Sequence, residues 1–201
     1  MISVIDYDGG NFKSVINILK RIKVNYNLTR NKDLIFNSKS IILPGVSNFG
    51  YCINSLKSLE LDKILHEAVI EKEIKILGIC SGMQSFASYS EESDSAGLNF
   101  IEGKVKKIEH DEYYRSPHMG WNKVNTKDNK IFKDIKNYTR FYFCHSFHLE
   151  PLNKEIIVNY TNYKNKICAA INHKNIYGVQ FHPEKSFIEG YKLIKNFIES
   201  C

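Results

Sequence analysis

A cysteine flanked by glycines is the first feature of this sequence that could carry out chemistry. The stretch KILGICSGMQSF, residues 75–86, places Cys80 between Gly78 and Gly82, directly after an apolar run. Gly-x-Cys-x-Gly between a strand and a helix is the cysteine form of the nucleophile elbow, a sharp turn that raises the side chain above the edge of a sheet. Taken alone, the stretch also fits a buried structural cysteine beside two chance glycines.

A nucleophilic cysteine needs a base, and the base needs a group that orients it. His182 ends an apolar strand in IYGVQFHPEKS, residues 176–186, and Glu184 follows two residues later. Pro183 lies between them, restricts the backbone and favours an extended conformation at His182. The spacing therefore predicts a triad in which Cys80 is the nucleophile, His182 the base and Glu184 the group that holds the imidazole.

The other histidines are weaker candidates for the base. His66 and His110 lie in charged or polar stretches typical of a protein surface, and His173 lies in the predicted turn NHKN. His118 and His148 are harder to dismiss, and the residues alone assign neither of them a role.

The elements that would position these groups alternate between strands and helices. Apolar runs predict strands at 2–6, 40–44 and 75–79, and helical spacing predicts helices over 11–22, 48–57 and 61–72. After Cys80, a helix is predicted through GMQSFASYS. This alternation indicates an α/β fold with an open, mostly parallel sheet flanked by helices.

The second half of the sequence has a different character. Polar turns separate short apolar segments, which predicts strands near 103–108, 140–145, 155–160, 166–171 and 175–181, before a final amphipathic helix, FIEGYKLIKNFIES. These segments are expected to add antiparallel strands. Because no low-complexity linker or repeat interrupts the chain, residues 1–201 are predicted to form one domain.

The composition is that of a globular protein. The 201 residues are 43% hydrophobic and 25% charged, with a net charge of +6. The basic residues accompany no aromatic RNA-binding motif and no zinc-finger spacing, so nucleic acid is not expected as a partner. The five cysteines (Cys52, Cys80, Cys144, Cys168 and Cys201) form no C-x-x-C pair, so neither a disulfide framework nor a zinc site is predicted.

The sequence also lacks the signals of membrane insertion or export. There is no run of about 18 apolar residues, and an acidic residue interrupts the apolar start MISVIDYDGG, unlike a signal peptide. A cytoplasmic protein without membrane contact is expected.

Together, GICSGMQ and GVQFHPEKS resemble the two signatures of the triad glutamine amidotransferases. Three further stretches narrow the resemblance: DYDGGNFKSV, PHMGWN at 117–122 and FYFCHSF at 141–147. With these, the sequence is similar to the glutaminase subunits of imidazole glycerol phosphate synthase, an enzyme of histidine biosynthesis, from residue 2 to about residue 198. The resemblance implies the flavodoxin-like fold of the class I glutamine amidotransferases.

The resemblance also implies a reaction. In the family, the cysteine that Cys80 matches attacks the side-chain amide of glutamine, giving a glutamyl thioester and ammonia, and water then releases glutamate. His182 would act first as base and then as acid, and Glu184 would orient it. No cofactor and no metal ion is implied.

Substrate contacts follow from the same resemblance. Backbone N–H groups of Ser81 and of the loop PGVSNFG, at Val46 and Ser47, would form an oxyanion hole. The substrate glutamine would contact Gly45, Gln84 and the backbone at Ser146 and Phe147.

The sequence departs from the family around this loop. Ser47 replaces the second glycine of the usual Pro-Gly-Val-Gly, Ser81 stands where leucine is commoner, and DYDGGN replaces Asp-Tyr-Gly-Met-Gly-Asn. In the family, the loop is thought to rearrange a peptide group into the oxyanion donor, and glycine tolerates the positive φ that serine resists. The departures put the energetics of that rearrangement in doubt.

The resemblance further implies a partner. In the family, the glutaminase docks onto a (β/α)8 barrel cyclase, and ammonia passes through the interior of the barrel. The positions that match the family's interface are Asn11, Pro117, Met119, Trp121, Tyr142 and Lys185. Trp121 suits an interface anchor in a PHMGWN loop, while the residues alone fit a core tryptophan equally well. His145 is expected near the active site and His118 in a structural or interfacial position.

Other functions stay open on the sequence alone. A related protein could supply ammonia for amidinating a sugar in surface polysaccharide synthesis, with which Ser47 and Ser81 are compatible. An inactive binding module is disfavoured by the intact Cys80, His182 and Glu184. A cysteine peptidase is disfavoured because no asparagine or aspartate is placed to orient the histidine.

Overall fold

The first half of the chain alternates strands with helices. The computed structural model describes residues 1–126 and 129–200, so Cys201 lies outside the described residues. The elements are β1 (Ile2–Ile5), α1 (Phe12–Ile22), β2 (Tyr26–Thr29), α2 (Lys32–Phe36), β3 (Ser40–Leu43), α3 (Phe49–Ser58), α4 (Leu61–His66), β4 (Lys75–Ile79) and α5 (Ser81–Gln84). A π-helical turn, Glu67–Glu71, continues α4.

The second half consists mainly of strands. They are β5 (Ala87–Ser90), β6 (Ser95–Ala96), β7 (Ile101–Lys107), β8 (His118–Thr126), β9 (Arg140–His145), β10 (Phe147–Pro151), β11 (Ile157–Tyr163), β12 (Asn165–His173) and β13 (Ile176–Val179), followed by α6 (Phe187–Glu199). A 3₁₀ turn, Pro183–Lys185, lies between β13 and α6. No helix in the described ranges combines the length and the apolar character needed to cross a membrane.

A nine-stranded sheet in the order β2-β1-β3-β4-β13-β12-β11-β8-β9 forms the framework. The pairings from β2 to β13 are parallel, with Gly78 of β4 beside Gly178 of β13. Those from β13 to β9 are antiparallel. The predicted α/β fold with antiparallel strands from the second half is confirmed. Over the described residues, however, the sheet is mixed in equal parts, because short hairpin connections favour antiparallel pairing.

A smaller sheet, in the order β10-β7-β5-β6, lies against the large one where β10 contacts β12. The chain passes from β9 in the large sheet to β10 in the small sheet at a single residue, Ser146. The backbone around Ser146 therefore forms a corner between the two sheets.

Buried strands supply an apolar layer to each face of the large sheet. In β3, Ile41 and Leu43 join the layer that contains residues of α2, α3 and α4, whereas Ile42 joins the opposite layer with α1 and α6. Because helices cover both faces, these strands are almost continuously apolar, as the sequence indicated.

Several local predictions are wrong. The helix after Cys80 ends at Gln84, and Ala87–Ser90 form β5, since the serine-rich SFASYS has little tendency to continue a helix. PHMGWN is not a loop, because its residues from His118 onward form the first part of β8, where exposed side chains alternate with buried or half-buried ones. The partly exposed strand β2 and the strand β10 have no counterpart among the predictions.

Candidate active site

Cys80 occupies a sharp turn between β4 and α5. Its backbone has φ 53° and ψ −112°, a conformation that non-glycine residues adopt only where the surrounding structure holds them. Here the surroundings are tightly packed: a Cβ on Gly82 would clash with the carbonyl oxygen of Leu43, and a Cβ on Gly45 would clash with the Gly82 nitrogen. The turn has the strand–turn–helix arrangement of the predicted nucleophile elbow, at the carboxyl end of β4.

His182 and Glu184 lie side by side, as the spacing predicted. His182 Nδ1 is 2.8 Å from Glu184 Oε1, and the two side chains are only 3% and 2% exposed. The backbone fixes the pair, since the His182 N–H donates to the Tyr142 carbonyl at 2.8 Å and Ser186 Oγ donates to the His182 carbonyl at 2.6 Å. The Cys80 side chain acts directly on the pKa of the imidazole, so the three predicted triad residues lie together.

The surroundings of His182 raise its pKa from 6.5 to about 10. Burial lowers the pKa, but the charge of Cys80, the hydrogen bonds to Cys80 and Glu184, and the charge of Glu184 outweigh the effect of burial. The imidazole is therefore protonated at neutral pH. A protonated imidazole beside a nucleophile can supply the proton that a leaving group needs.

A pocket of about 220 Å³ opens beside Cys80. Its lining residues are Val46, Ser47, Asn48, Cys80, Ser81, Gln84, Glu92, Pro117, Cys144, His145, Ser146 and Phe147. The pocket thus collects the predicted oxyanion residues and most of the predicted substrate contacts, and Gly45 packs directly against Ser81. It is smaller than the roughly 300–1,000 Å³ typical of drug-sized ligands, so it suits a small metabolite.

Two residues beside the thiol are additions to the predicted site. Gln180 is fully buried, and its Nε2 lies 3.6 Å from Cys80 Sγ. Its position two residues before His182, directly after the apolar strand, was the available signal in the sequence, because side chains two apart in extended backbone share a face. Cys144 also lines the pocket, and its carbonyl oxygen is 3.9 Å from Cys80 Sγ.

Glu92 is a further pocket residue that sequence reasoning missed. Its Oε2 accepts a hydrogen bond from the Phe49 N–H at 2.8 Å, which fixes a carboxylate at the pocket wall. Such a carboxylate can pair with the ammonium group of an amino acid. Nothing in the local sequence SEESDS distinguishes Glu92 from its acidic neighbours.

The remaining histidines take no direct part in the triad. His66 and His110 are exposed, as predicted, and His173 ends β12. His148 lies on β10, while His118 and His145 are buried next to each other. Within residues 1–126 and 129–200, no group of three or more His, Cys, Asp or Glu side chains could hold a metal ion.

The residues expected at a partner interface include an exposed aromatic cluster. Trp121 is 43% exposed, so the core alternative is wrong. Its ring stacks on Phe187 with centroids 5.1 Å apart, and Tyr142 meets its edge at 6.0 Å. Met119, two residues before Trp121 on β8, is 60% exposed. We call Met119, Trp121, Tyr142 and Phe187 the aromatic patch; Phe187, 78% exposed, was not predicted.

The other expected interface residues adjoin the aromatic patch or the pocket. Lys185 Nζ lies 5.5 Å from the centre of the Tyr142 ring. Pro117 is exposed and also lines the pocket. Asn11 precedes α1, which contacts the turn Pro183–Lys185. The predicted interface residues therefore extend from the mouth of the pocket to the triad turn.

Comparison with known proteins identifies the class first. The family model "Glutamine amidotransferase class-I" matches residues 3–201. Among solved structures, a putative GMP synthase protein from Thermoplasma acidophilum superposes with a TM-score of 0.76 at 22% identity, covering 98% of this chain and 91% of that one. The chain therefore belongs to the class I glutamine amidotransferases.

Three relatives that are similar in sequence carry the name of the same kind of synthase subunit. "Imidazole glycerol phosphate synthase subunit HisH" of Leptospira borgpetersenii is 40% identical, and the match covers 98% of both chains. "Imidazole glycerol phosphate synthase subunit HisH 2" of Methanococcus maripaludis is 40% identical over the full length of both chains. The corresponding protein of Pelagibacter ubique is 39% identical over 98% of each. The chain therefore belongs to the family of these synthase subunits.

Proposed function

We propose that this chain is the glutaminase subunit of an imidazole glycerol phosphate synthase, that it acts in the cytoplasm, and that it hydrolyses glutamine at Cys80. One observation carries the proposal: a buried histidine, paired with Glu184 and raised in pKa by the Cys80 side chain, lies beside a cysteine on a nucleophile elbow, at the wall of a small-metabolite pocket. The names of the relatives support the pathway, since they are subunits of that synthase.

In the proposed reaction, His182 is the base that holds the proton of the Cys80 thiol, and the resulting thiolate attacks the side-chain amide carbon of glutamine. The carbonyl oxygen becomes an oxyanion, and its collapse breaks the C–N bond. His182 supplies the proton with which nitrogen leaves as ammonia, and Glu184 stabilises the ring in the required orientation. His182, now neutral, removes a proton from water; the hydroxide attacks the thioester, and glutamate and the free Cys80 sulfur result.

Substrate selection would come from both ends of the pocket. The amide end of glutamine lies at Cys80 in this proposal, so the amino-acid end must reach towards Glu92, whose carboxylate would pair with the ammonium group. Gln84 and the backbone at Ser146 and Phe147 would supply further polar contacts between these ends, with Gly45 leaving room for them.

The oxyanion would be stabilised by backbone N–H groups of Ser81 and of the loop at Val46 and Ser47. Each such donor is worth roughly 3 kcal/mol in the transition state of related reactions. The loop would have to bring one of its N–H groups to the oxygen, as the resemblance to the family implies.

The proposed partner is a (β/α)8 barrel cyclase that takes up the ammonia. A half-exposed tryptophan stacked on a largely exposed phenylalanine is an unfavourable surface for a protein alone and a common anchor in interfaces. Docking near the mouth of the pocket would keep ammonia from water, where protonation removes its nucleophilic lone pair.

Glutamate release from glutamine tests the proposal. The purified chain would be assayed alone, with the imidazole glycerol phosphate cyclase of the same organism, and with that cyclase plus its nucleotide substrate, with Cys80→Ala as the control. We expect activity that rises strongly in the complete mixture and is absent in the Cys80→Ala protein.

Two other results would contradict parts of the proposal. Cys80-dependent activity that does not respond to the cyclase would exclude the assigned pathway and favour another acceptor of ammonia, such as a sugar. Absence of activity in every mixture would exclude the glutaminase itself.

A further inference from the structure

His118 and His145 face each other across the ladder between β8 and β9. They are direct partners in the register of the two strands, and His118 Nδ1 lies 3.0 Å from His145 Nε2. The two residues are 2% and 6% exposed. Neither ring belongs to the triad, so a buried pair of histidines beside an active site needs an explanation of its own.

The neighbours of the pair determine the direction of its hydrogen bonds. Asn122 Nδ2 can only donate, and it lies 3.1 Å from His118 Nε2, so that nitrogen accepts. His118 therefore carries its proton on Nδ1 and donates to His145 Nε2. His145 then carries its proton on Nδ1, which donates to the Phe147 carbonyl at 2.8 Å.

Burial keeps both rings in the neutral form that this arrangement needs. It lowers the pKa of His118 to about 4, and burial, together with the charge of His118, lowers the pKa of His145 well below 6.5. A second proton on His145 would place two N–H donors face to face. At neutral pH the chain of bonds therefore runs in one direction, from Asn122 to the Phe147 carbonyl.

The Phe147 carbonyl links this chain to the pocket. It accepts a second hydrogen bond from Gln84 Nε2 at 2.7 Å, and Gln84 Nε2 also lies 3.1 Å from Gln180 Oε1. Gln180 in turn directs its Nε2 at Cys80 Sγ. The bond from His145 spans the corner at Ser146, so it fixes the backbone that lines the pocket as well as the Gln84 side chain.

We propose that His118 and His145 are positioning residues for glutamine, which hold the Ser146–Phe147 backbone and the Gln84 amide in the geometry that binds the substrate. The inference rests on the proposed function, because it assigns these two residues to the binding of that substrate. A purely structural role would make them important for stability alone.

Three variants and one control distinguish a positioning role of the histidine pair from a purely structural role. His118→Phe keeps an aromatic ring in the stack with Phe143 and Tyr163 but removes both hydrogen bonds of the imidazole. His145→Leu removes the donor to the Phe147 carbonyl, whereas His145→Asn keeps an N–H donor near the position of Nδ1. Thr161→Val is the matched control, since it removes a different hydrogen bond from a buried residue to β8, from Thr161 Oγ1 to the Lys123 carbonyl at 2.9 Å.

Steady-state glutaminase kinetics in the complex with the cyclase, and thermal unfolding of each protein, provide the readouts. We expect His118→Phe and His145→Leu to raise KM for glutamine about tenfold, the factor that corresponds to 1.4 kcal/mol, with kcat changed much less. His145→Asn should recover most of the wild-type KM. Thr161→Val should lower the unfolding temperature and leave KM unchanged.

Each outcome decides between the alternatives. Wild-type KM in His118→Phe, or a KM that rises as much in Thr161→Val, would overturn the inference while leaving the glutaminase function intact. A wild-type protein without glutaminase activity would contradict the proposed function instead. If His145→Leu does not fold, the comparison of His118→Phe and His145→Asn still gives the answer.

Discussion

The backbone N–H of Val46 donates a hydrogen bond to the carbonyl oxygen of Gly9, with 3.3 Å between nitrogen and oxygen. The hydroxyl of buried Tyr7 donates to the same carbonyl at 3.1 Å. The loop expected to form the oxyanion hole is therefore tied to the N-terminal loop DYDGGN. Both stretches depart from the family pattern, and here they contact each other.

Replacement of Ser47 by glycine, the residue usual in the family, is predicted to increase glutaminase activity in the absence of a partner. Ser47 is not among the residues with positive φ, and a rearranged loop would force it there at a cost of about 1–2 kcal/mol. Ser47→Gly removes that cost, so basal activity should rise about 5- to 30-fold. Glutamate release by the purified chain alone measures the effect.

Ser47→Ala is the matched control for this prediction. It removes the hydroxyl and keeps the Cβ, so it should leave basal activity near the wild-type value. An equal increase in Ser47→Ala and Ser47→Gly would mean that the hydroxyl group, rather than backbone conformation, limits the loop.

Replacement of Glu184 by glutamine is predicted to shift the pH dependence of the reaction. The raised pKa of His182 keeps the ring protonated up to about pH 10, and this proton is lost as pH rises above that value. Glu184→Gln removes a charge that raises the pKa, so the alkaline limb of kcat/KM should move to lower pH. The rate itself should fall about 10- to 100-fold, because the ring is less well oriented and stabilised.

Glutaminase assays of both proteins between neutral pH and about pH 10.5 would measure the shift. Activity recovered on return to neutral pH controls for unfolding at alkaline pH. An alkaline limb at the same pH in the two proteins would show that the Glu184 charge does not set the pKa that matters for turnover.

The close packing behind the elbow predicts that Gly82 tolerates no side chain. A Cβ there would clash with the Leu43 carbonyl, which is backbone and cannot rotate away. Gly82→Ala should therefore lower the free energy of unfolding by about 2 kcal/mol or more and reduce glutaminase activity. Denaturant unfolding of the two proteins tests the prediction, and a difference below about 0.5 kcal/mol would contradict the close approach.

The features that the sequence predicted well are encoded locally. His182 and Glu184 are two residues apart, and the elbow needs only five consecutive residues, so neither requires knowledge of distant contacts. β3 and β4 are almost continuously apolar because both faces of the sheet are covered. A short stretch of sequence is enough to recognise that pattern.

The features that the sequence did not predict depend on contacts between segments that are far apart in the sequence. The His118–His145 contact requires the register of β8 with β9, across 27 positions, and no local pattern specifies that register. Glu92 reaches the pocket because its carboxylate binds the backbone of α3, 43 positions away. The stretch PHMGWN, most of which lies in β8, was predicted as a loop because glycine and asparagine interrupt its apolar residues. It is a strand because β8 pairs with β9 and β11.

The aromatic patch predicts a single residue on which partner binding depends most. Trp121 stacks on Phe187 and lies at the centre of the exposed side chains, so its loss removes contact area at the middle of the expected interface. Trp121→Ala should weaken binding of the cyclase about 30-fold, the equivalent of roughly 2 kcal/mol, and reduce activation at limiting cyclase, with little effect on unfolding. Leu152→Ala is the control and should bind normally, because Leu152 directly follows β10 of the smaller sheet and is 68% exposed. Titration calorimetry with the cyclase measures the affinity of both variants. Normal binding by Trp121→Ala would show that the interface does not include the aromatic patch, because a tryptophan at the centre of an interface is usually among its strongest contacts.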